Sequence, residues 1–186
     1  MVPVTRTSTR TLTTTEAAVL ALLALEGENS GYDLLKYARQ AIGYIWSPAR
    51  SQLYTLLPRL VKDGLAHSRA VVQADRPDKT LYRISADGKR ALGAWLETVD
   101  PGDRDAFHLR LFVGKLTNDD VLIRHVEAFR AEVEEWLNEL RAIDGTNSRT
   151  GADFYHYFLL RYGIQQAELE LEWADWVLRG LRRDHP

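Results

Sequence analysis

The sequence predicts a mainly α-helical protein: an N-terminal winged helix-turn-helix, with three helices and a two-stranded wing, followed by a C-terminal antiparallel helical dimerisation domain. Two observations favour this fold class. Helical hydrophobic periodicity gives way to two extended segments after Gly64 and returns at Ser85. Beyond Asp103 the pattern is helical only, with heptad spacing. We therefore expect a flexible arm, a winged domain and a helical domain, at residues 1–11, 12–98 and 103–184.

The composition narrows the class of protein. The chain has 186 residues, 45% of them hydrophobic, which is enough to bury a core. It has no cysteine, which excludes a disulfide framework, a thiolate metal site and a cysteine nucleophile. No apolar run approaches the roughly 20 residues that span a bilayer, and the start lacks the hydrophobic segment of a secretory signal. We expect a cytoplasmic protein without membrane contact.

Charge is distributed unevenly along the chain. The net charge is -2 at pH 7, which alone argues against a nucleic-acid partner. However, residues 1–98 contain 13 Lys and Arg against 9 Asp and Glu, whereas the remaining residues contain 11 against 17. The first half is therefore the part of the chain that can meet a polyanion.

Two short helices open the predicted winged domain. Thr13 to Glu16 spells T-x-x-E, a capping box that starts a helix, and Gly27 ends the apolar run that follows. A second helix starts at Ser30 and closes at Gly43. The short connection from this helix to the next predicts the turn of a helix-turn-helix.

The third predicted helix begins in the aromatic stretch GYIWSPARSQLY. There we expect Trp46 to anchor the chain, Ser47 to cap the helix and Pro48 to be its first residue. Pro58 lies inside the helix and removes a hydrogen bond, at a cost of about 3 kcal/mol unless a bend absorbs it, so we expect a kink. Four leucines recur on one face at i, i+3, i+4 and i+7: Leu53, Leu56, Leu57 and Leu60.

The predicted wing follows Gly64. Residues 65–73 and 80–84 are β-branched or aromatic segments, and residues 74–79 between them form a charged hairpin tip. Ser85 then caps a further helix, which Pro101 and Gly102 break. Its apolar stripe is Leu92, Trp95 and Leu96.

Two long helices are predicted after a connecting helix at residues 109–113. The first starts near Asn118 and carries a heptad seam, Leu122, Val126, Phe129, Val133, Trp136, Leu140 and Ile143. A polar loop at residues 144–151 turns the chain back. In the second helix Tyr155, Tyr162, Leu169 and Trp176 recur every seven residues, with Leu159, Gln166 and Trp173 between them. One hairpin cannot bury all of these apolar residues, so we expect a homodimer.

The third helix is polar on the face opposite its leucines. A DNA major groove about 12 Å wide accepts one helix, so this face, the wing tip and the arginine-bearing N-terminal arm predict a DNA interface. An ordinary solvated surface is one alternative, and a protein-protein adaptor without DNA binding, insensitive to salt, is another. The expected DNA-binding residues are Tyr32, Lys36, Arg50, Ser51, Gln52, Tyr54, Thr55, Arg59, Arg76 and Lys79.

The chain resembles the PadR family of transcriptional regulators along nearly its whole length. The resemblance lies in LALLALEGENSGYDLLK (20–36), SQLYTLLPRLVKDGLA (51–66), LYRISADGKRALGAWL (81–96) and HLRLFVGKL (108–116). The acidic second half is similar to the subgroup with a long, virulence-regulator-like C-terminal domain. The resemblance implies a homodimer that binds a double-stranded DNA operator with two half-sites and usually represses. The family often has proline at the position of Thr55, whereas this chain has it at Pro58.

The sequence gives little support to an enzyme. Its five histidines are not paired at metal-ligand spacing, and it contains no nucleophile elbow, phosphate-binding glycine loop or dinucleotide fingerprint. We therefore expect no catalytic residue, no metal and no cofactor. Some members of the family that the chain resembles bind aromatic compounds between subunits. A pocket for a small aromatic effector is therefore one hypothesis and dimer core the other, for Trp95, Phe112, Trp173 and Trp176.

Overall fold

The computed structural model describes residues 11–41, 43, 49–72, 78–100, 102–146 and 154–183. Its elements in chain order are α1 (Thr14–Glu26), β1 (Asn29–Ser30), α2 (Gly31–Ala41), α3 (Arg50–Lys62), β2 (Ala66–Val71), β3 (Lys79–Ile84), α4 (Ala86–Glu97), α5 (Arg104–Phe112), a short 3₁₀ helix (Gly114–Leu116), α6 (Asp119–Thr146) and α7 (Phe154–Leu181). The predicted fold class is confirmed. The predictions for the arm at residues 1–10, for Trp46, Ser47 and Pro48, and for Arg76 and Pro101 lie outside the described residues.

The chain divides into two compact units. The first contains residues 11–98 and 108–117, and the second contains residues 99–107 and 118–183. The chain therefore enters the second unit, returns to the first within α5 and leaves it again. The first unit holds the three-helix and wing region, and the second holds the two long helices.

The predicted capping box starts α1. The Thr13 side chain accepts a hydrogen bond from the Glu16 N–H at 3.3 Å, and the Glu16 carboxylate accepts one from the Thr13 N–H at 3.0 Å. The residues that follow, from Ala17 to Leu23, are almost completely buried. This helix is thus the centre of the first unit rather than a surface helix.

The wing belongs to a sheet of three strands, where the sequence predicted two. The order is β1-β3-β2 and both pairings are antiparallel, with Ser30 opposite Leu81 and Ala66 opposite Ile84. The sequence did not reveal β1 because a two-residue strand is too short to show a period of two. Ser30 also caps α2, since its hydroxyl accepts a hydrogen bond from the Asp33 N–H at 3.2 Å.

The predicted start of the third helix is wrong by two residues. α3 begins at Arg50 and its N-cap is Ala49, because the backbone of Ala49 is extended (φ -61°, ψ 142°) rather than helical. The four predicted leucines are buried, as expected. Pro58 lies within α3, which is continuous from Arg50 to Lys62, and the expected kink stays a prediction.

The turn from α3 into β2 depends on Gly64, whose φ of 74° suits glycine best. The Gly64 carbonyl accepts a hydrogen bond from the Ser85 hydroxyl at 2.6 Å. Ser85 in turn caps α4 by accepting a hydrogen bond from the Gly88 N–H at 2.9 Å, as predicted. One serine therefore joins the end of α3, the end of β3 and the start of α4.

α6 and α7 form the predicted antiparallel hairpin. Ion pairs join them along their length, and the residue number falls along α7 as it rises along α6: Arg182–Glu127, Arg130–Asp175, Arg141–Glu168 and Arg161–Asp144. Asn118 caps α6 by accepting a hydrogen bond from the Val121 N–H. α6 continues to Thr146, past the predicted start of the loop at Asp144, and keeps Asp144 in reach of Arg161.

The heptad seam of α6 is buried in its first half. Val126, Phe129 and Val133 are at most 1% exposed, whereas Ile143 near the other end is 50% exposed. Phe129 stacks on Phe107 with ring centres 4.3 Å apart, and Trp173 meets both rings edge-on. The core of the second unit is therefore concentrated where α6 meets the beginning of α5.

α7 has two apolar faces. One face packs into the second unit through Leu160, Gly163, Ile164, Ala167, Ala174 and Leu178. The other, which we call the α7 stripe, consists of the exposed side chains Tyr155, Leu159, Tyr162, Leu169 and Trp176. These five residues are 65% to 75% exposed.

Within the described residues, every helix is too short or too polar to span a lipid bilayer.

Candidate nucleic-acid interface

The exposed face of α3 carries most of the predicted DNA contacts. Ser51, Gln52 and Thr55 are all exposed, because the leucines between them turn the opposite face into the core. The Thr55 hydroxyl donates a hydrogen bond to the Ser51 carbonyl at 3.0 Å, which fixes its rotamer and leaves its oxygen able to accept. The face therefore offers short hydroxyl and amide groups, which can read base edges.

Tyr54 lies on one flank of this face and is held by neighbours. The Arg50 guanidinium lies over its ring, 5.5 Å from the centre. Gly31 lies against its other side, because a Cβ at Gly31 would stand 3.4 Å from Cε1 of Tyr54. The pKa of Tyr82, on β3, is raised, first by its partial burial and second by electrostatic repulsion from the nearby Tyr54. Sequence patterns did not indicate Gly31 or Tyr82, because no periodicity relates residues on three different elements.

α2 adds two predicted residues beside this flank. Tyr32 is 62% exposed, and Lys36, four residues later, is exposed on the same side of the helix.

On the wing, the expected contact Lys79 starts β3 and is half-buried. Arg76 lies outside the described residues.

Arg59, one of the expected DNA contacts, is paired with a buried carboxylate. Its Nη2 donates to Oε1 of Glu16 at 2.8 Å, and Glu16 is only 2% exposed. The pair lines one end of a groove of about 380 Å³ between the start of α1 and α3. Sequence analysis found Glu16 only as a helix cap, since 43 residues separate it from Arg59.

A second group of basic residues, on β2, β3 and α4, was not selected by sequence analysis. His67, Arg83 and Lys89 line an open cavity of about 370 Å³. Next to them Arg69 forms an ion pair with Glu28, and the hydrogen bond from Arg69 lowers the pKa of the Glu28 carboxyl. Arg83 and Lys89 add positive charge to the first unit, whereas the charge of Arg69 is balanced by Glu28.

The four aromatic residues of the effector hypothesis are divided between the two units. In the first unit, Trp95 is 7% exposed and the guanidinium of Arg110, itself 2% exposed, lies 4.2 Å from its ring centre. Phe112 in the same unit is half-buried. In the second unit, Trp173 is part of the aromatic core and Trp176 belongs to the exposed α7 stripe. Among the described residues, no group of three or more His, Asp or Glu could hold a metal ion.

Three helices, a small sheet and an exposed polar α3 define a winged helix-turn-helix protein. Residues 19–94 match the model of the transcriptional regulator PadR-like family, and residues 104–182 match the virulence activator alpha C-terminal model. The chain belongs to the PadR-like family of transcriptional regulators. It is therefore a DNA-binding transcriptional regulator and not an enzyme.

Two curated relatives match almost end to end. The probable transcriptional regulator Rv1176c of Mycobacterium tuberculosis is 31% identical over 182 residues, covering 89% of this chain and 96% of the relative. The negative transcriptional regulator PadR of Bacillus subtilis is 26% identical over 177 residues, covering 90% of this chain and 97% of the relative.

Solved structures of Bacillus subtilis PadR are also similar. Its complex with operator DNA has a TM-score of 0.46 and 24% identity, covering 91% of this chain and 99% of that one. Its complex with p-coumaric acid has a TM-score of 0.41 and 23% identity, covering 97% and 100%.

Proposed function

We propose that the protein binds an operator with two half-sites as a homodimer, with α3 of each subunit in the major groove. The observation that carries this proposal is the division of α3 into four buried leucines and an exposed polar face. In such a complex Ser51, Gln52 and Thr55 read base edges. The residues proposed to hold the backbone are Tyr32, Lys36, Arg50, Tyr54, Arg59, Arg76 and Lys79.

The α7 stripe supports the proposed homodimer. Monomeric proteins rarely expose a continuous row of large apolar side chains along a whole helix. A second copy of the same helix is an occupant with matching heptad spacing and length. Burying two stripes against each other removes both from water, and it brings two copies of α3 onto one DNA molecule.

Repression is the proposed outcome of binding. The relative from Bacillus subtilis is described as a negative transcriptional regulator, and it matches this chain almost end to end. A dimer bound across a promoter would exclude other proteins from the same DNA. Because the curated relatives are bacterial regulators, whose DNA lies in the cytoplasm, we place the action of this protein there.

We further propose a small planar aromatic effector that lowers operator affinity. Trp95 supports it, because this ring already stacks with the guanidinium of Arg110, and such a pair also suits a planar anion. Phe112, in the same unit, is the other residue proposed to contact it; the hypothesis from the sequence also named Trp173 and Trp176, which belong to the second unit. An effector shifts the operator-competent population only through its different affinities for two arrangements, commonly about 1 to 3 kcal/mol.

A binding titration tests the DNA proposal. Duplexes are first selected by the protein from a pool with a randomised centre, and the association constant is then measured by fluorescence anisotropy at several salt concentrations. We expect two related half-sites and a log K that falls linearly with log salt. Arg50→Gln should flatten that slope, whereas Arg179→Gln, which removes an exposed charge from α7, should not. Binding that ignores salt would favour the adaptor instead.

Tryptophan fluorescence tests the effector proposal, with p-coumaric acid as the first planar probe. We expect saturable quenching, and release of the selected duplex over the same concentration range. Trp95→Ala should abolish both effects. If a series of planar aromatic acids changes neither emission nor duplex affinity, these tryptophans serve only as packing residues.

A further inference from the structure

We propose that Glu16 is a positioning residue for DNA binding: it aims Arg59 at a backbone phosphate that enters the groove between the start of α1 and α3. This inference rests on the proposed DNA-binding function and adds to it a carboxylate that does not itself touch DNA. Glu16 is not among the expected DNA contacts, and its other role is in the capping box of α1.

The geometry of the Glu16 carboxylate is fixed from two sides. Oε2 accepts the Thr13 N–H at 3.0 Å, and Oε1 accepts Nη2 of Arg59 at 2.8 Å. The side chain is only 2% exposed, so it cannot turn into solvent without losing both hydrogen bonds. Since hydrogen bonds to a charged group in a low-dielectric environment are strong, the carboxylate holds Arg59 against the first turn of α1.

Arg59 stays accessible although it is paired. Its side chain is 55% exposed, and its Nε lies 3.8 Å from Asp63 on the next turn of α3. A guanidinium has five N–H donors in a planar fork, and Glu16 takes only an edge of it. The two carboxylates therefore fix the plane of the fork, and the exposed part of the fork remains able to meet an anion.

The groove beside the pair has the lining of a phosphodiester site. Gln52 and Arg59 are seven residues apart, so they lie on the same flank of α3, facing α1. Thr13 and Thr15 bring hydroxyl groups from the start of α1 to the opposite wall. Hydroxyl groups with one arginine are usual protein contacts of a DNA backbone, and Gln52, two turns earlier on α3, remains a base-reading residue.

Because Glu16 is negatively charged, the direction in which DNA affinity changes when that charge is removed tests the inference. A carboxylate near DNA repels phosphate, so if its charge were its only influence, removing it would tighten binding. If Glu16 positions Arg59, removing its charge lets the guanidinium leave the groove, and one phosphate contact is lost. The two ideas predict opposite changes for one substitution.

The experiment compares the wild-type protein with Glu16→Gln on a duplex that the wild-type protein has selected from a randomised pool. We expect affinity to fall about tenfold and the slope of log K against log salt to flatten by a little under one unit, the share of one phosphate. A merely destabilised fold would lower affinity equally at every salt concentration and leave the slope unchanged. Tighter binding with an unchanged slope would overturn the inference.

Three controls complete the test. Glu28→Gln breaks another Glu–Arg pair of the same unit and should keep the slope. Arg59→Gln should flatten the slope by the same amount as Glu16→Gln. The double variant should show no further flattening. If Glu16→Gln does not fold, Arg59→Gln alone still tests whether Arg59 contacts a phosphate. A wild-type protein with no salt-dependent binding would overturn the proposed function itself, whereas a normal wild-type slope that both variants keep would overturn only this inference.

Discussion

Gly88, in the first turn of α4, lies directly against Leu65, which connects α3 to β2. A Cβ at Gly88 would stand 2.1 Å from the Leu65 carbonyl oxygen and 2.9 Å from Cγ1 of Ile84. Side-chain carbons do not approach a backbone oxygen so closely, so only glycine fits this position. The start of α4 is thereby fixed against the turn that leads from α3 into the wing.

Gly88→Ala should lower the free energy of unfolding by about 1 to 3 kcal/mol, the usual cost of overpacking, because Leu65 or α4 must move. Gly93→Ala is the matched control in the same helix, where a Cβ meets no heavy atom within 4 Å among the described residues. It should be neutral or stabilise by up to about 1 kcal/mol. Urea unfolding followed by circular dichroism, at one fixed protein concentration, measures both. Equal effects from the two substitutions would contradict this account.

Replacing two residues of the α7 stripe should weaken the proposed dimer. Leu169→Gln combined with Trp176→Gln removes apolar area from an interface and should raise the dimer dissociation constant at least about tenfold, with little change in helix content. Sedimentation equilibrium measures the constant. Arg179→Gln removes an exposed charge one turn beyond Trp176 but no large apolar side chain, so it should change the constant far less. A wild-type protein that sediments as a stable monomer would contradict the proposal.

The Glu28 carboxyl should titrate below its ordinary pKa of 4.5, because Arg69 donates hydrogen bonds to the charged form. A lowered pKa in the folded state stabilises the protein above pH 4.5, and that contribution is lost as the pH falls through the folded value. The pair is exposed, so the effect on stability should be small. NMR titration of the side-chain carboxyl carbon measures the pKa. Arg69→Gln should return it toward 4.5, and a wild-type pKa at or above 4.5 would exclude the ion pair in solution.

Base preference should depend on Gln52 and Thr55 separately from affinity. Gln52→Ala should relax preference at one or two base pairs by about 1 to 3 kcal/mol, because a base-edge contact is lost. Lys36→Gln should weaken binding to all duplexes alike, since a phosphate contact carries no sequence information. Competition among single-base variants of the selected duplex distinguishes the two. Uniform weakening by Gln52→Ala would show that this residue does not read bases.

Local sequence patterns predicted the elements of this fold well where the pattern repeats. The leucines of α3 and the capping residues Thr13 and Ser85 follow from spacing and hydrogen-bonding chemistry, and the structure has them as predicted. The errors occurred at element ends. A two-residue strand shows no period, and the extended backbone of Ala49 starts α3 later than a Ser-Pro pair suggests.

The candidate site was less predictable because its geometry depends on residues far apart in the chain. Arg59 and Glu16 are 43 residues apart, and Arg69 and Glu28 are 41 apart. Sequence analysis selected Arg59 as a DNA contact and did not select Arg69, and it could not identify the carboxylate partner of either arginine. The exposure of the α7 stripe, by contrast, was expected from heptad spacing, since both faces of α7 are apolar and one hairpin can bury only one of them.

The interrupted path of the first unit has a consequence for synthesis. Leu109 and Val113, which are at most 2% exposed, belong to the segment that rejoins this unit after the chain has entered the other. When only the first 98 residues have emerged from the ribosome, part of the packing of the winged region is therefore still missing. Folding of that region can be completed only when residue 117 has left the exit tunnel, by which time the first residues of the second unit have already emerged. Nascent chains stalled at these two lengths should differ sharply in protease resistance.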